Sequence, residues 1–278
     1  MQQRQQSGFA RFLVSAAVAT LLAAGLGGCQ TMADVTGSLT QAKSDPAPDA
    51  DPQRAVEYYG DRYRANPKDA DVALAYGTAL RANGQRAQSA AVLEQACLAH
   101  PGNKPLMAAW GRALADNGNF QQAFDVLSQA HTPENPDWRI LSVQGTTLDQ
   151  LGRHDEARRY YAAALKIVPG EPTVLSNQGM SFMLSKNLTQ AEASLRQAYA
   201  NPKASAKVRQ NLGLVVGLQG RFAEAEEIVK ADLPPDEAAA NVAYLKEMLK
   251  TKDKDNSRPG RDKRGVNSVP MAELTRPD

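Results

Sequence analysis

The chain has 278 residues, 42% of them hydrophobic and 6% aromatic, with 32 Lys+Arg against 30 Asp+Glu. That length and apolar content suffice for a substantial core, and two cysteines exclude a disulfide-dense scaffold. The near-balanced charge makes the chain a poor candidate for nucleic-acid binding, which usually shows a basic stripe, so no nucleic-acid partner is expected.

In chain order, the first element is a targeting segment. Arg4 and Arg11 make a positive start with no acidic residue, and Phe12 to Leu26 form an apolar stretch. It is shorter than the roughly 20 apolar residues that a spanning helix needs. Residues 1–28 are therefore predicted to be a signal peptide rather than part of the fold. The segment ends in Leu26-Gly27-Gly28-Cys29, which resembles a lipobox. That resemblance implies cleavage before Cys29 and lipidation of its thiol. Several acyl chains on one cysteine hold a protein stably, whereas one binds marginally. Gln30 follows, and resemblance to enterobacterial lipoproteins implies that a residue other than Asp there permits transfer to the outer membrane. The folded domain is then expected in the periplasm. Loss of Arg4 and Arg11 leaves the mature chain with 30 charges of each sign.

Residues 29–52 read as the lipidated cysteine and a flexible tether. The stretch is rich in Ala, Asp, Pro, Ser and Thr, has no apolar period, and has an expected reach of roughly 25 Å. Residues 53–69 read as a half repeat, because Ala55, Tyr59 and Pro67 lie 34 residues before Ser89, Leu93 and Pro101.

Residues 70–239 carry the strongest signal, a fixed period of 34. Gly77, Gly111, Gly145, Gly179 and Gly213 follow it. So do Leu93, Leu127, Tyr161, Leu195 and Val229. So do Ala96, Ala130, Ala164 and Ala198, and Ser89 leads a series continued by Ala123, Ala157, Ala191 and Ala225. The small residues mark close helix crossings, and the large ones fill the space between. Gly84, Gly118, Gly152 and Gly220 fall where a turn needs positive φ. Lys186 stands at that position in the fourth unit, and Asp232 replaces a small residue in the fifth. Five full units result, 70–103, 104–137, 138–171, 172–205 and 206–239, with an irregular stretch at 131–137.

Period and pattern resemble the tetratricopeptide repeat (TPR), in which each unit is two antiparallel helices, A and B. The resemblance implies an all-α helical-repeat solenoid whose A helices line a concave face. Pro235 to Lys250 then reads as a capping helix with Ala239, Val242, Leu245 and Leu249 on its apolar side. Residues 251–278, with seven basic and five acidic residues, read as a disordered tail.

A narrower resemblance rests on residues 207–226, KVRQNLGLVVGLQGRFAEAE, and 231–249, ADLPPDEAAANVAYLKEML. With the lipobox and the repeat number, these resemble the TadD family, the TPR lipoproteins of tight-adherence (Flp, type IVc) pilus systems. This resemblance implies a protein-binding role in pilus assembly, with the outer-membrane secretin and other assembly components as partners, and aid to secretin insertion or multimerisation. The repeat alone is equally compatible with a general TPR lipoprotein adaptor for a periplasmic protease or cell-wall synthase.

Groove positions implied by the repeat are polar or small in the first three units, including Arg81, Arg112, Asp116, Ser142, Thr146, Asp149 and Gln150. They turn apolar at Met180, Met183, Leu184, Leu214 and Leu218. These five, with Arg81 and Arg112, are the candidate partner-binding residues. The same apolar stripe is what a core face under the capping helix would show. The lysines of a carboxylate-clamping groove are absent at Leu74, Ala108, Ser142, Ser176 and Gln210. His100, His131 and His154 have no metal-ligand spacing, and no catalytic, cofactor or phosphate-loop motif occurs. No enzyme activity and no cofactor or metal are expected, and Cys97 reads as a small core residue.

Overall fold

The computed structural model describes residues 51–256, with side chains to Thr251. The signal peptide, Cys29, nearly all of the 29–52 segment and the chain beyond Asn256 lie outside the described residues. Among these there are twelve helices: α1 (Pro52–Ala65), α2 (Ala70–Ala82), α3 (Arg86–Ala99), α4 (Lys104–Asp116), α5 (Phe120–Gln129), α6 (Trp138–Gln150), α7 (His154–Ile167), α8 (Pro172–Leu184), α9 (Leu188–Tyr199), α10 (Ala206–Leu218), α11 (Phe222–Val229) and α12 (Pro235–Asn256). Each even helix from α2 to α10 is a helix A and pairs with the next as helix B. Helix α1 packs on α2, and α12 closes the far end.

The glycine series explains why the pairs close so tightly. A Cβ at Gly77 would lie 2.5 Å from Leu93 Cγ, and one at Gly145 2.4 Å from Tyr161 Cε1. The same sixteen-residue step brings Gly111 against Leu127, Gly179 against Leu195 and Gly213 against Val229. These large partners are almost all fully buried, each worth about 1.5–3 kcal/mol relative to exposure. Where Ser89 precedes the alanine series, its buried hydroxyl donates to the Gly77 carbonyl at 2.6 Å, which offsets the cost of removing it from water. The core is a succession of apolar clusters, each drawing on neighbouring helices, as a one-dimensional stack requires.

Helix starts follow the same period. Asp69, Asn103, Asp137 and Glu171 accept backbone N–H groups in the first turns of α2, α4, α6 and α8. Ser205 holds the equivalent place before α10 without a side-chain cap bond. At the A-to-B turns, Lys186 takes φ +64°, matching the positive φ of Gly84, Gly118, Gly152 and Gly220. The turn is thus retained without glycine, at a cost of about 1–2 kcal/mol. Asp232, the other departure in the repeat, forms an ion pair with Arg209, whose Nε donates to Oδ2 at 2.6 Å.

Helix α12 runs to Asn256, past residue 250. Its buried side is Ala238, Val242, Leu245 and Leu249. Ala239 is exposed: one residue is a 100° step, which turns it out of the 238-242-245-249 seam. Leu245 packs so closely on α10 that a Cβ at Gly217 would meet its Cδ2 at 2.6 Å.

Candidate functional site

The A helices α2, α4, α6, α8 and α10 bring the groove positions onto one face. In its C-terminal half, Met180, Met183 and Leu184 on α8 and Leu214 and Leu218 on α10 are all half-buried. They differ in what they touch. Met183 packs with Phe182 and Val242 against the cluster of Leu195, Leu212, Val215 and Val216, so it belongs partly to the core. Met180, Leu184, Leu214 and Leu218 are not part of that cluster.

In the N-terminal half, a cleft of about 330 Å³ opens between α2, α4 and α6. Arg81, Arg112, Asp116, Phe120, Val143 and Gln150 contribute to its walls. Arg81 Nε donates to Asp116 Oδ2 at 2.5 Å, joining α2 to α4. Arg112 is half-buried and makes no hydrogen bond or ion pair among the described residues. Burial pushes its guanidinium below the ordinary arginine range, opposed by nearby Asp137 and assisted by the like charges of Arg81 and Arg139. The carboxylate of Asp137 is occupied in capping α6, accepting the Arg139 N–H at 2.7 Å.

Polar rungs link neighbouring A helices from α6 to α10. Asn177 Nδ2 donates to Ser142 Oγ at 3.2 Å, and Asn211 Nδ2 to Ser176 Oγ at 3.0 Å. Each rung spans the seam between adjacent A helices, α6 to α8 and α8 to α10. The signal for them was present in the sequence, Ser at one groove position and Asn 35 residues on, but has meaning only once the helices are side by side.

Asp149 departs from its expected place on the exposed groove. It is buried and collects three partners: the Tyr161 hydroxyl at 2.8 Å, the Ser181 hydroxyl at 2.7 Å and His154 Nδ1 at 2.8 Å. Beside a carboxylate that imidazole nitrogen is the donor. Burial, and then the adjacent negative charge, hold the Tyr161 hydroxyl well above the ordinary tyrosine range, so it stays a donor. The trio superficially suggests a Ser-His-Asp nucleophile, but the geometry is wrong for one. Ser181 is fully buried and donates to the aspartate rather than to the imidazole. The group ties α6, α7 and α8 together.

His131 bonds Gln144 Oε1 through Nε2 at 3.1 Å and lies in the irregular connector before α6. His100 Nε2 contacts the Lys68 carbonyl at 2.7 Å. Cys97 is half-buried, and burial together with the charge of Glu94 pushes its thiol up to about 11. Among the described residues no group of His, Cys, Asp or Glu has the arrangement of a metal site.

Residues 108–172 match the family model of the tetratricopeptide repeat. No curated protein sequence is significantly similar to the chain. Among solved structures, a chain of the APC/C hetero-tetramer Cut9-Hcn1 superposes with a TM-score of 0.59 at 16% identity, the match covering 76% of this chain and 41% of that one. This chain thus spans less than half the length of that relative. MamA from Desulfovibrio magneticus RS-1 matches with a TM-score of 0.47 at 15% identity, over 64% of this chain and 96% of its own. YrrB, described as a TPR protein with an unusual peptide-binding site, matches with 0.46 at 16%, over 72% and 100%. The helix pairing, the glycine crossings and the first of these structures agree on the fold, an all-α superhelix of helix pairs with tetratricopeptide-type packing, within which residues 108–172 match the family model of that repeat.

Proposed function

We propose that this chain is a non-enzymatic, lipid-anchored scaffold that binds protein partners during assembly of a tight-adherence (Flp) pilus. Its partner is the outer-membrane secretin, whose insertion or multimerisation it aids. The observation that carries the binding reading is the apolar patch on the A-helix face. Met180, Leu184, Leu214 and Leu218 remain half-exposed on adjacent A helices, flanked by the Ser–Asn rungs. Such a strip suits the apolar side of a helix or extended segment, and methionine adapts to varied partners. The pilus assignment is supported by the resemblance over residues 207–226 and 231–249. The outer-membrane anchor is supported by Leu26-Gly27-Gly28-Cys29 and Gln30.

The test is an immunoblot for secretin multimers in outer-membrane fractions from cells with the protein, without it, with Cys29→Ser, and with Met180→Glu plus Leu214→Glu. Neither methionine nor leucine in that pair belongs to the buried cluster, so the double variant is expected to fold. Multimers should vanish without the protein and in the double variant, and should fail to reach the outer membrane with Cys29→Ser. Unchanged multimers in all strains would remove the secretin role.

A further inference from the structure

The Arg112 cleft has an unbalanced charge. Three guanidiniums, of Arg81, Arg112 and Arg139, lie within electrostatic reach of two carboxylates, of Asp116 and Asp137. Both carboxylates are already engaged, Asp116 by Arg81 and Asp137 as the cap of α6. Two carboxylates against three guanidiniums leave a net charge of +1; Arg139 is exposed to water, whereas Arg112 is half-buried and makes no ion pair among the described residues. A charge removed from water without a partner is costly, and an arginine fork suits a carboxylate.

We propose that this cleft is a subsite for one aspartate or glutamate side chain of a peptide segment lying along the A-helix face. The inference rests on the reading of that face as a protein-binding surface, and adds the chemistry of one position. Three features select this occupant. The surplus is a single charge, which matches a carboxylate better than a phosphate dianion. The volume of about 330 Å³ is at the small end of ligand pockets, sized for side chains rather than a cofactor. The walls also include Ala115, Phe120 and Val143, which accept the apolar side chain next to the acid. The face continues from here to α8 and α10, so a chain passes through the cleft rather than ending in it.

The experiment uses the full-length chain in detergent, as wild type, Arg112→Gln, Arg112→Lys and Met180→Glu, each checked for folding by circular dichroism. An array of short random peptides with blocked termini is the probe, with retained sequences re-measured by fluorescence anisotropy. Peptides held by the wild type are expected to carry Asp or Glu beside an apolar residue. Arg112→Gln should weaken them about ten- to hundredfold, with Arg112→Lys between. Changing the peptide's acid to its amide should cost as much on the wild type and nothing further on Arg112→Gln. The subsite is refuted by retained peptides without an acidic preference, or by affinity unchanged in Arg112→Gln. Stronger binding of versions with a free C-terminal carboxylate, or full competition by inorganic phosphate at equal concentration, also refutes it. If acid-independent peptides bind and are lost with Met180→Glu, the subsite falls while the protein-binding reading stands. If no peptide is retained, both fall.

Discussion

Substituting Gly145 with alanine should destabilise the superhelix by about 2–4 kcal/mol. A Cβ there would meet Tyr161 Cε1 at 2.4 Å, Cζ at 2.7 Å and Cδ1 at 2.9 Å. Ordinary contact requires the ring to retreat by about 1 Å, and overpacking of this kind costs about 1–3 kcal/mol. The ring has nowhere to go, being fully buried with its hydroxyl held by Asp149 at 2.8 Å. Loss of a hydrogen bond to a charged group adds about 1.5–3 kcal/mol. Against this, alanine favours a helix over glycine by about 1 kcal/mol. Urea unfolding followed by far-UV circular dichroism would register the change as a midpoint lowered by about 1–2 M. Tyr161→Leu makes room for the methyl, so the double variant Gly145→Ala with Tyr161→Leu should be more stable than the two single losses add up to, by about 1–3 kcal/mol. Stability of Gly145→Ala within about 0.5 kcal/mol of wild type, or strict additivity, would refute the claim that ring and glycine are locked together.

Lys186→Gly should stabilise the fold by about 0.5–1 kcal/mol in the same assay, because it relieves the φ of +64° at the α8–α9 turn at the expense of chain entropy; a loss of stability would show that the lysine makes an offsetting contact. Glu192 bridges α9 to the next unit, accepting from Arg196 Nε at 2.7 Å and Gln219 Nε2 at 2.9 Å and pairing with Arg221. Burial works to raise its carboxyl, but the hydrogen bonds from Gln219, Arg196 and Arg221 outweigh it and hold the group below the usual carboxylate range. Its contribution, about 1 kcal/mol for such a network, is therefore present above the unfolded value of 4.5 and fades as pH falls through the lower folded value. Glu192→Gln should accordingly lower stability at neutral pH and leave a shallower acid limb in a series of melts, and parallel pH profiles would contradict this. Cys97, pushed up from 9.0 to about 11, should react with iodoacetamide at pH 8 about 100-fold more slowly in the folded chain than in urea, in a Cys29→Ser background read by mass spectrometry; equal rates would disprove the burial effect.

The architecture was readable because a superhelix repeats its packing. The step from Gly77 to Leu93 recurs five times, so each glycine and its large partner could be placed before any helix was seen. The caps at Asp69, Asn103, Asp137 and Glu171 obey the same 34-residue spacing and could have been read from it. What escaped was chemistry that belongs to one place only. Asp149 occupies a groove position by register, yet its carboxylate turns inward because Tyr161, His154 and Ser181 supply donors there. Those three stand 12, 5 and 32 residues away, on two other helices, and no periodic pattern singles them out. Arg112 was legible as a groove residue, but not as a half-buried one without an ion pair, since that depends on Asp116 and Asp137 being engaged elsewhere.

The rungs between A helices have a mechanical consequence. They tie α6 to α8 and α8 to α10 through Ser142–Asn177 and Ser176–Asn211, whereas Ala108 and Val143 hold the corresponding positions at the α4–α6 seam. No hydrogen bond crosses that seam among the described residues. Apolar contacts slide with little loss, while hydrogen-bonded ones must break. The unit holding α4 and α5 is instead fastened to α6 from the other side, where Gln144 Nε2 donates to Ser128 Oγ at 3.0 Å and its Oε1 faces His131 Nε2 at 3.1 Å. The arginine cleft opens on the side of this seam that lacks a rung, so an occupant there would touch α4 and α6 where no hydrogen bond between them has to be displaced.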